Sequence, residues 1–132
     1  MNLKELSQLY YLKREIDKKS DDIKELQARK WGHSTKISGM PKTKESESQL
    51  ERIEVKIEDL VAIIGAKQIE LIHERNRLER YIADIPDSET RMIFEYRFVD
   101  CKSWDDVAAC MGEGNTAERV RQVCSRYLRQ NA

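Results

Sequence analysis

Apolar residues recur at every seventh position from Leu50 to Ile85: Leu50, Ile57, Ile64, Leu71, Leu78 and Ile85. Ile53, Leu60 and Tyr81 supply the other seam position, which Lys67 and Glu74 interrupt. A heptad sustained over this length specifies a coiled-coil seam rather than the broad apolar face of a globular helix. It predicts a helix over 48–84, with Ser46 or Ser48 as the capping serine. The helix must end near Pro86, because the residue before a proline avoids helical geometry. At the helical rise it would be roughly 55 Å long.

The start of the chain carries a related pattern. Leu9, Leu12, Ile16, Ile23 and Leu26 fall on a 3-4 spacing, with Lys19 in one seam position. Glu15 with Lys19, and Glu25 with Arg29, stand four apart as favourable ion pairs. This predicts a helix over 3–30. Between the two helices, WGHSTKISGMPKTKESES (31–48) reads as a loop, since it holds two glycines and a proline. Lys36, Lys42 and Lys44 make it either a solvated hairpin tip or a contact to nucleic-acid backbone.

Two long helices with a short link predict an antiparallel αα-hairpin over 1–85. The second helix is the longer. The first has too few seam residues to cover Leu71, Ile72, Leu78 and Tyr81 as well as Leu50 to Ile64. A homodimer through 48–84 would bury that remainder, as would a C-terminal domain folded back within one chain.

From Asp87 the pattern shortens into three amphipathic segments, 88–99, 103–111 and 116–129. Met92, Ile93, Phe94, Tyr96 and Phe98 are the buried candidates of the first. Ser103 is the expected N-cap of the second, with Asp105 and Asp106 in the first turn, where carboxylates suit the helix dipole. Its inward residues are Trp104, Val107, Ala108 and Met111, and Ala108 and Ala109 are small enough for a close helix crossing. GEGN (112–115) supplies a turn, after which Asn115 or Thr116 caps the third segment. Two short helices around a glycine-containing turn, braced by a third, describe a helix-turn-helix over 86–132. The fold class is therefore all-α.

The third segment divides cleanly when wound at about 100° per residue. Val120, Val123, Cys124, Tyr127 and Leu128 gather on one side. Glu118, Gln122, Ser125 and Arg129 project from the other, flanked by Arg119, Arg121 and Arg126. Guanidinium, amide, hydroxyl and carboxylate groups are those that read base edges and phosphates in a major groove.

Charge sharpens that reading. The chain has 24 basic and 24 acidic residues, so net charge selects no partner. The distribution does: 87–118 carries three positive and eight negative side chains, whereas 119–132 carries four positive and none negative. Charged residues make up 36% of the chain, which leaves a thin core and a large surface. Cys101, Cys110 and Cys124 are an odd number without a C-x-x-C pair, which points to a reduced, cytoplasmic setting, with Cys124 as a small core residue. His33 and His73 stand at no metal-ligand spacing with a cysteine. No glycine-rich phosphate loop or paired catalytic histidine is present, so neither an enzyme nor a cofactor is expected. No segment approaches the roughly 18 apolar residues of a membrane span.

SWDDVAACMG and NTAERVRQVCSRYLR together resemble the promoter-binding region four of bacterial housekeeping sigma factors. The shared features are a capped helix with an acid pair ahead of a Val-Ala step, then T-x-E-R-V-R-Q opening the next helix. The preceding ETRMIFEYRFVD resembles the helix before it. The resemblance covers about a third of the chain and implies a sigma-region-4-like helix-turn-helix. It implies base-facing roles for Glu118, Arg121 and Gln122, and phosphate contacts for Thr116 and Arg119. Ser125, Arg126 and Arg129 complete the expected double-stranded DNA surface. Ala117 stands where the sigma pattern often has a basic residue, and GEGN is longer than the usual turn. A coiled coil ahead of such a domain is similar to small phage and prophage transcriptional regulators of the RinA/ArpU type. Region four also contacts RNA polymerase, so a polymerase-binding module is a second expectation. An oligomeric packaging adaptor of the small-terminase kind is a third.

Overall fold

The computed structural model describes residues 1–35 and 44–132, and among these the chain is all-helical. The elements are α1 (Leu3–Leu6), α2 (Gln8–Thr35), α3 (Lys44–Ala83), α4 (Ser88–Phe94), a π-helical turn (Glu95–Val99), α5 (Trp104–Met111) and α6 (Ala117–Gln130). The chain divides into two compact units, Arg14–Ile69 forming one and Met1–Lys13 with Glu70–Ala132 the other.

In the unit 14–69, α2 and α3 are longer than their patterns predict. The helix expected to stop at residue 30 runs to Thr35, and the next begins at Lys44 rather than Ser46 or Ser48. Trp31 and Gly32 are thus helical, not loop. A glycine weakens a helix by only about 1 kcal/mol, too little to stop one already propagating. Lys36 and Lys42 lie outside the described residues. Along α3 the heptad positions Leu50, Ile53, Ile57, Leu60, Ile64 and Lys67 are all half-buried. Leu26 is buried, and Ile16, Lys19 and Ile23 are half-buried. Lys67 Nζ pairs with Glu15 at 2.9 Å, and Lys30 Nζ with Glu54 at 2.9 Å. The Lys67 contact holds the Glu15 carboxyl below its ordinary range, chiefly through the hydrogen bond.

The other unit begins with a capping box: Asn2 Oδ1 accepts from Glu5 N–H at 2.8 Å, and Asn2 N–H donates to Glu5 Oε2 at 3.2 Å. Ser7 separates α1 from α2, and its hydroxyl donates back to Leu3 O at 2.8 Å, a local bond that competes with the helix ladder. Leu6, Leu9, Leu78, Ile82, Ile85, Phe94, Phe98, Val99 and Cys124 form one buried cluster, with Leu71, Tyr81, Tyr127 and Leu128 packed on it. Phe94 is its hub, with ring centroids 5.3 Å from Phe98, 5.4 Å from Tyr127 and 6.5 Å from Tyr81. Leu78 is fully buried within the chain, and Leu71 and Tyr81 pack on the same cluster, so for three of the four residues that the first helix was too short to cover the cover comes from within the chain, and only Ile72 stays exposed. Nor do the compact units follow a cut at 85/86, because the first 13 residues share a core with the C-terminal helices.

The expected helix 88–99 changes pitch partway. Asp87 caps it, accepting from Thr90 N–H at 3.1 Å and Thr90 Oγ1 at 2.7 Å. After Phe94 the ladder widens to i→i+5, with Asp100 N–H donating to Glu95 O at 3.0 Å. The wider turn lets Phe94, Phe98 and Val99 reach the same core. Met92, an expected core residue, is instead 45% exposed. Among the described residues no helix is long and apolar enough to cross a membrane.

Candidate nucleic-acid interface

The expected recognition segment is α6, and its cap is Thr116 rather than Asn115. Thr116 has extended backbone angles, and its side-chain oxygen accepts from Arg119 N–H at 3.1 Å. Asn115 instead braces the preceding turn, donating to Met111 O at 3.3 Å and Gly112 O at 3.2 Å. The turn needs its glycines, since Gly112 and Gly114 sit at φ +101° and +84°, where a side chain is strained.

A second buried cluster seats α6. Ile93 from α4, Val107 and Ala108 from α5 and Val120 from α6 form it, with Tyr96, Trp104, Met111 and Val123 packed around. Ser103 caps α5, accepting from Asp106 N–H at 3.2 Å. Ala108 is buried at the α5–α6 contact, but Ala109 is exposed, so only one of the two expected small residues serves there. The Arg97 guanidinium lies 4.5 Å from the Trp104 ring centroid and donates to Lys102 O at 2.9 Å, tying the π-turn to the start of α5. On the inner face of α6, Val120 and Cys124 are buried, and Val123, Tyr127 and Leu128 half-buried. Burial pushes the Cys124 thiol up to about 12, so it stays protonated and serves as an apolar filler.

The outer face carries every other predicted residue. Glu118, Arg119, Arg121, Gln122, Ser125, Arg126 and Arg129 are all exposed, as is Thr116. They are not equally free. Arg121 Nη2 donates to both Glu118 oxygens at 2.9 and 2.7 Å, and Gln122 Nε2 donates to Glu118 Oε1 at 3.1 Å. The Arg121 hydrogen bond, followed by its charge, holds the Glu118 carboxyl below its ordinary range. One carboxylate therefore orients the two side chains best suited to base edges. Arg119 is tied inward, with Nη1 donating to Asn115 Oδ1 at 2.6 Å and Nη2 pairing with Glu89 of α4 at 2.8 Å. Ser125, Arg126 and Arg129 make no side-chain hydrogen bond or ion pair among the described residues.

The surface thus has two zones: a clamped cluster of Glu118, Arg121 and Gln122 at the start of α6, and unpaired guanidiniums toward its end. Glu89 has no counterpart in the sequence reading of this face. It is thirty residues from Arg119, and no helical spacing connects them. The Asn115–Arg119 contact, at i,i+4, was open to that reasoning. Among the described residues no group of three His, Cys, Asp or Glu is placed to hold a metal ion. Comparison with protein-family models, curated proteins and solved structures finds no match.

Proposed function

We propose that the chain is a sequence-specific double-stranded-DNA-binding transcriptional regulator that sets the outer face of α6 into the major groove. The carrying observation is the division of α6. Its inner side is held by Val120 and Cys124, and its outer side offers Arg121 and Gln122 on a shared carboxylate with unpaired Arg126 and Arg129 beyond. Bidentate arginine suits guanine and glutamine suits adenine, whereas mobile guanidiniums suit phosphates. The α5–turn–α6 contact through Val107, Ala108 and Val120 supports a helix-turn-helix, braced by Ile93 of α4. The ion pairs Glu15–Lys67 and Lys30–Glu54 support an antiparallel hairpin, since one partner's number rises as the other's falls. With the resemblance to sigma region four, these features favour a small phage or prophage regulator acting in the bacterial cytoplasm.

The test is selection of genomic fragments by the purified chain with sequencing, followed by binding measurements on the enriched site. Arg121→Ala and Gln122→Ala should each weaken specific binding by about 1–3 kcal/mol while leaving the helical signal unchanged. Arg126→Ala and Arg129→Ala should weaken binding evenly across sequences, each lowering the salt slope by about 1. Four folded variants that bind as wild type does would sink the proposal.

A further inference from the structure

A cleft of about 440 Å³ opens between the start of the chain and the π-turn, and all of its lining belongs to the unit of Met1–Lys13 with Glu70–Ala132. Tyr10 and Tyr11 form one wall, 38% and 59% exposed, with ring centroids 5.2 Å apart. Arg97, Phe98, Cys101 and Ser103 form the other, and among the described residues no Asp or Glu lines the cleft. Arg97 is half-buried and has no carboxylate partner among the described residues. Its Nη1 donates to Lys102 O at 2.9 Å, and its Nε–Nη2 edge makes no hydrogen bond there. Ser103 Oγ accepts from Asp106 N–H at 3.2 Å, which leaves its own O–H to donate. A cation without a counter-ion and a spare hydroxyl donor therefore share a cleft walled by rings. Two departures from regular backbone line the same place. The π-turn supplies Arg97 and Phe98, and Cys101 stands in the left-handed region at φ +58°, its thiol turned back on the Phe98 and Val99 carbonyls at 3.8 Å. Such departures concentrate at ligand sites.

We infer that this cleft binds a small aromatic acid, a flat ring bearing one carboxylate. Its volume lies in the range of small-ligand sites. The carboxylate takes the free Nε–Nη2 edge of Arg97, the fork geometry that suits two parallel N–H bonds, with the Ser103 O–H as a further donor. The ring lies against Tyr10 and Tyr11, where edge or offset contacts add to apolar burial. Charge excludes the basic counterpart, because an aromatic amine would set a second cation beside Arg97 with no carboxylate to hold it. An aliphatic acid keeps the charge but forgoes the ring wall.

This inference stands apart from the DNA-binding proposal, because its test contains no DNA. Arg97 lies 4.5 Å from the Trp104 ring centroid, so the Trp104 indole N–H signal in NMR reports on the cleft. Trp31 belongs to the other unit and serves as the control, with Trp31→Phe assigning the two signals. In the full chain, naphthoate should shift the Trp104 signal saturably and leave the Trp31 signal in place. Naphthamide, the same ring system without the charge, and acetate, the same charge without the ring, should each bind at least about tenfold more weakly. Arg97→Gln should reduce the affinity for naphthoate to that of the amide. Tyr11 is exposed, so Tyr11→Ala should keep the helical signal and weaken naphthoate severalfold; it decides the matter if Arg97→Gln fails to fold. The absence of a saturable Trp104 shift overturns the inference, as does equal binding of acid and amide. So does a folded Tyr11→Ala chain that binds naphthoate as wild type does, and a Trp31 shift matching that of Trp104 overturns it as unspecific stacking.

Discussion

Arg119 shows how one side chain's role depends on a neighbour that no local spacing reveals. Its guanidinium bridges Asn115 and Glu89, about half exposed at both ends of the ion pair. A pair this exposed contributes little to stability, on the order of 0–1 kcal/mol. Its larger effect is on availability, because Glu89 holds back a cation that the resemblance assigns to a phosphate. Glu89→Ala should therefore raise DNA affinity across all sequences and steepen the salt dependence by up to about one unit. Arg119→Ala should do the opposite, and unchanged salt slopes in both variants would show that Arg119 does not reach the backbone. The carboxylates make a second prediction. Asp87 is held below its ordinary pKa by the Thr90 side-chain and backbone hydrogen bonds, Glu15 by Lys67 and Glu118 by Arg121. Groups with depressed folded pKa values bind fewer protons folded than unfolded, so their stabilisation is present above the unfolded pKa. It is lost as the pH falls through the folded value. Thermal midpoints should hold steady near neutrality and fall once the pH drops below the ordinary carboxylate range. Asp87→Asn should flatten part of that decline; a decline identical to wild type would remove Asp87 from the account.

At the scale of elements, α3 presents two faces whose mutants separate cleanly. Ile64 sits half-buried on the heptad seam and Val61 is mostly exposed, three residues apart on one helix. Ile64→Asp places a carboxylate against apolar neighbours and should cost about 2–3 kcal/mol, read as an earlier melt by circular dichroism. Val61→Asp should leave the melt of the isolated chain within about 0.5 kcal/mol of wild type, as exposed substitutions do. Equal effects at the two sites would mean that the seam is not what α3 buries. That seam was readable because a heptad is a local, repeated signal over many residues. The caps Ser103 and Thr116 and the two faces of α6 were readable for the same reason: a hydroxyl before a helix and a 3.6-residue period both act within a few residues. Helix ends at Thr35 and Lys44 were not, since a lone glycine and scattered serines disfavour helix only weakly. The pitch change after Phe94 was not readable either. A π-turn has no composition of its own, and it arises here as Phe94, Phe98 and Val99 reach one core.

For the whole molecule, the consequential departure from the sequence reading is which residues fold with the C-terminal helices. A boundary at 85/86 leaves about 47 residues to bury their own core, a size at which a lone domain is marginal. The structure extends that core with Leu6 and Leu9 from the start of the chain, Leu78 and Ile82 from the end of α3, and Ile85 just beyond it. Leu9 is fully buried with Phe94 and Cys124 in the same cluster, and Cys124 lies on the inner side of α6. An N-terminal leucine therefore shares a buried core with the proposed DNA-reading helix, across more than a hundred residues of sequence, which no periodicity could announce. Leu9→Ala removes buried methyl groups and leaves a cavity, which should cost about 2–5 kcal/mol. That is a large share of the roughly 5–15 kcal/mol typical of a folded domain. The fragment 86–132 loses all five residues, and its Trp104 fluorescence should fail to show a cooperative unfolding transition. The full chain should show one, and Leu9→Ala should shift its midpoint downward without abolishing it. A cooperative transition in 86–132 at the midpoint of the full chain would prove the C-terminal helices self-sufficient. The N-terminal residues would then be passengers on that core rather than part of what positions α6.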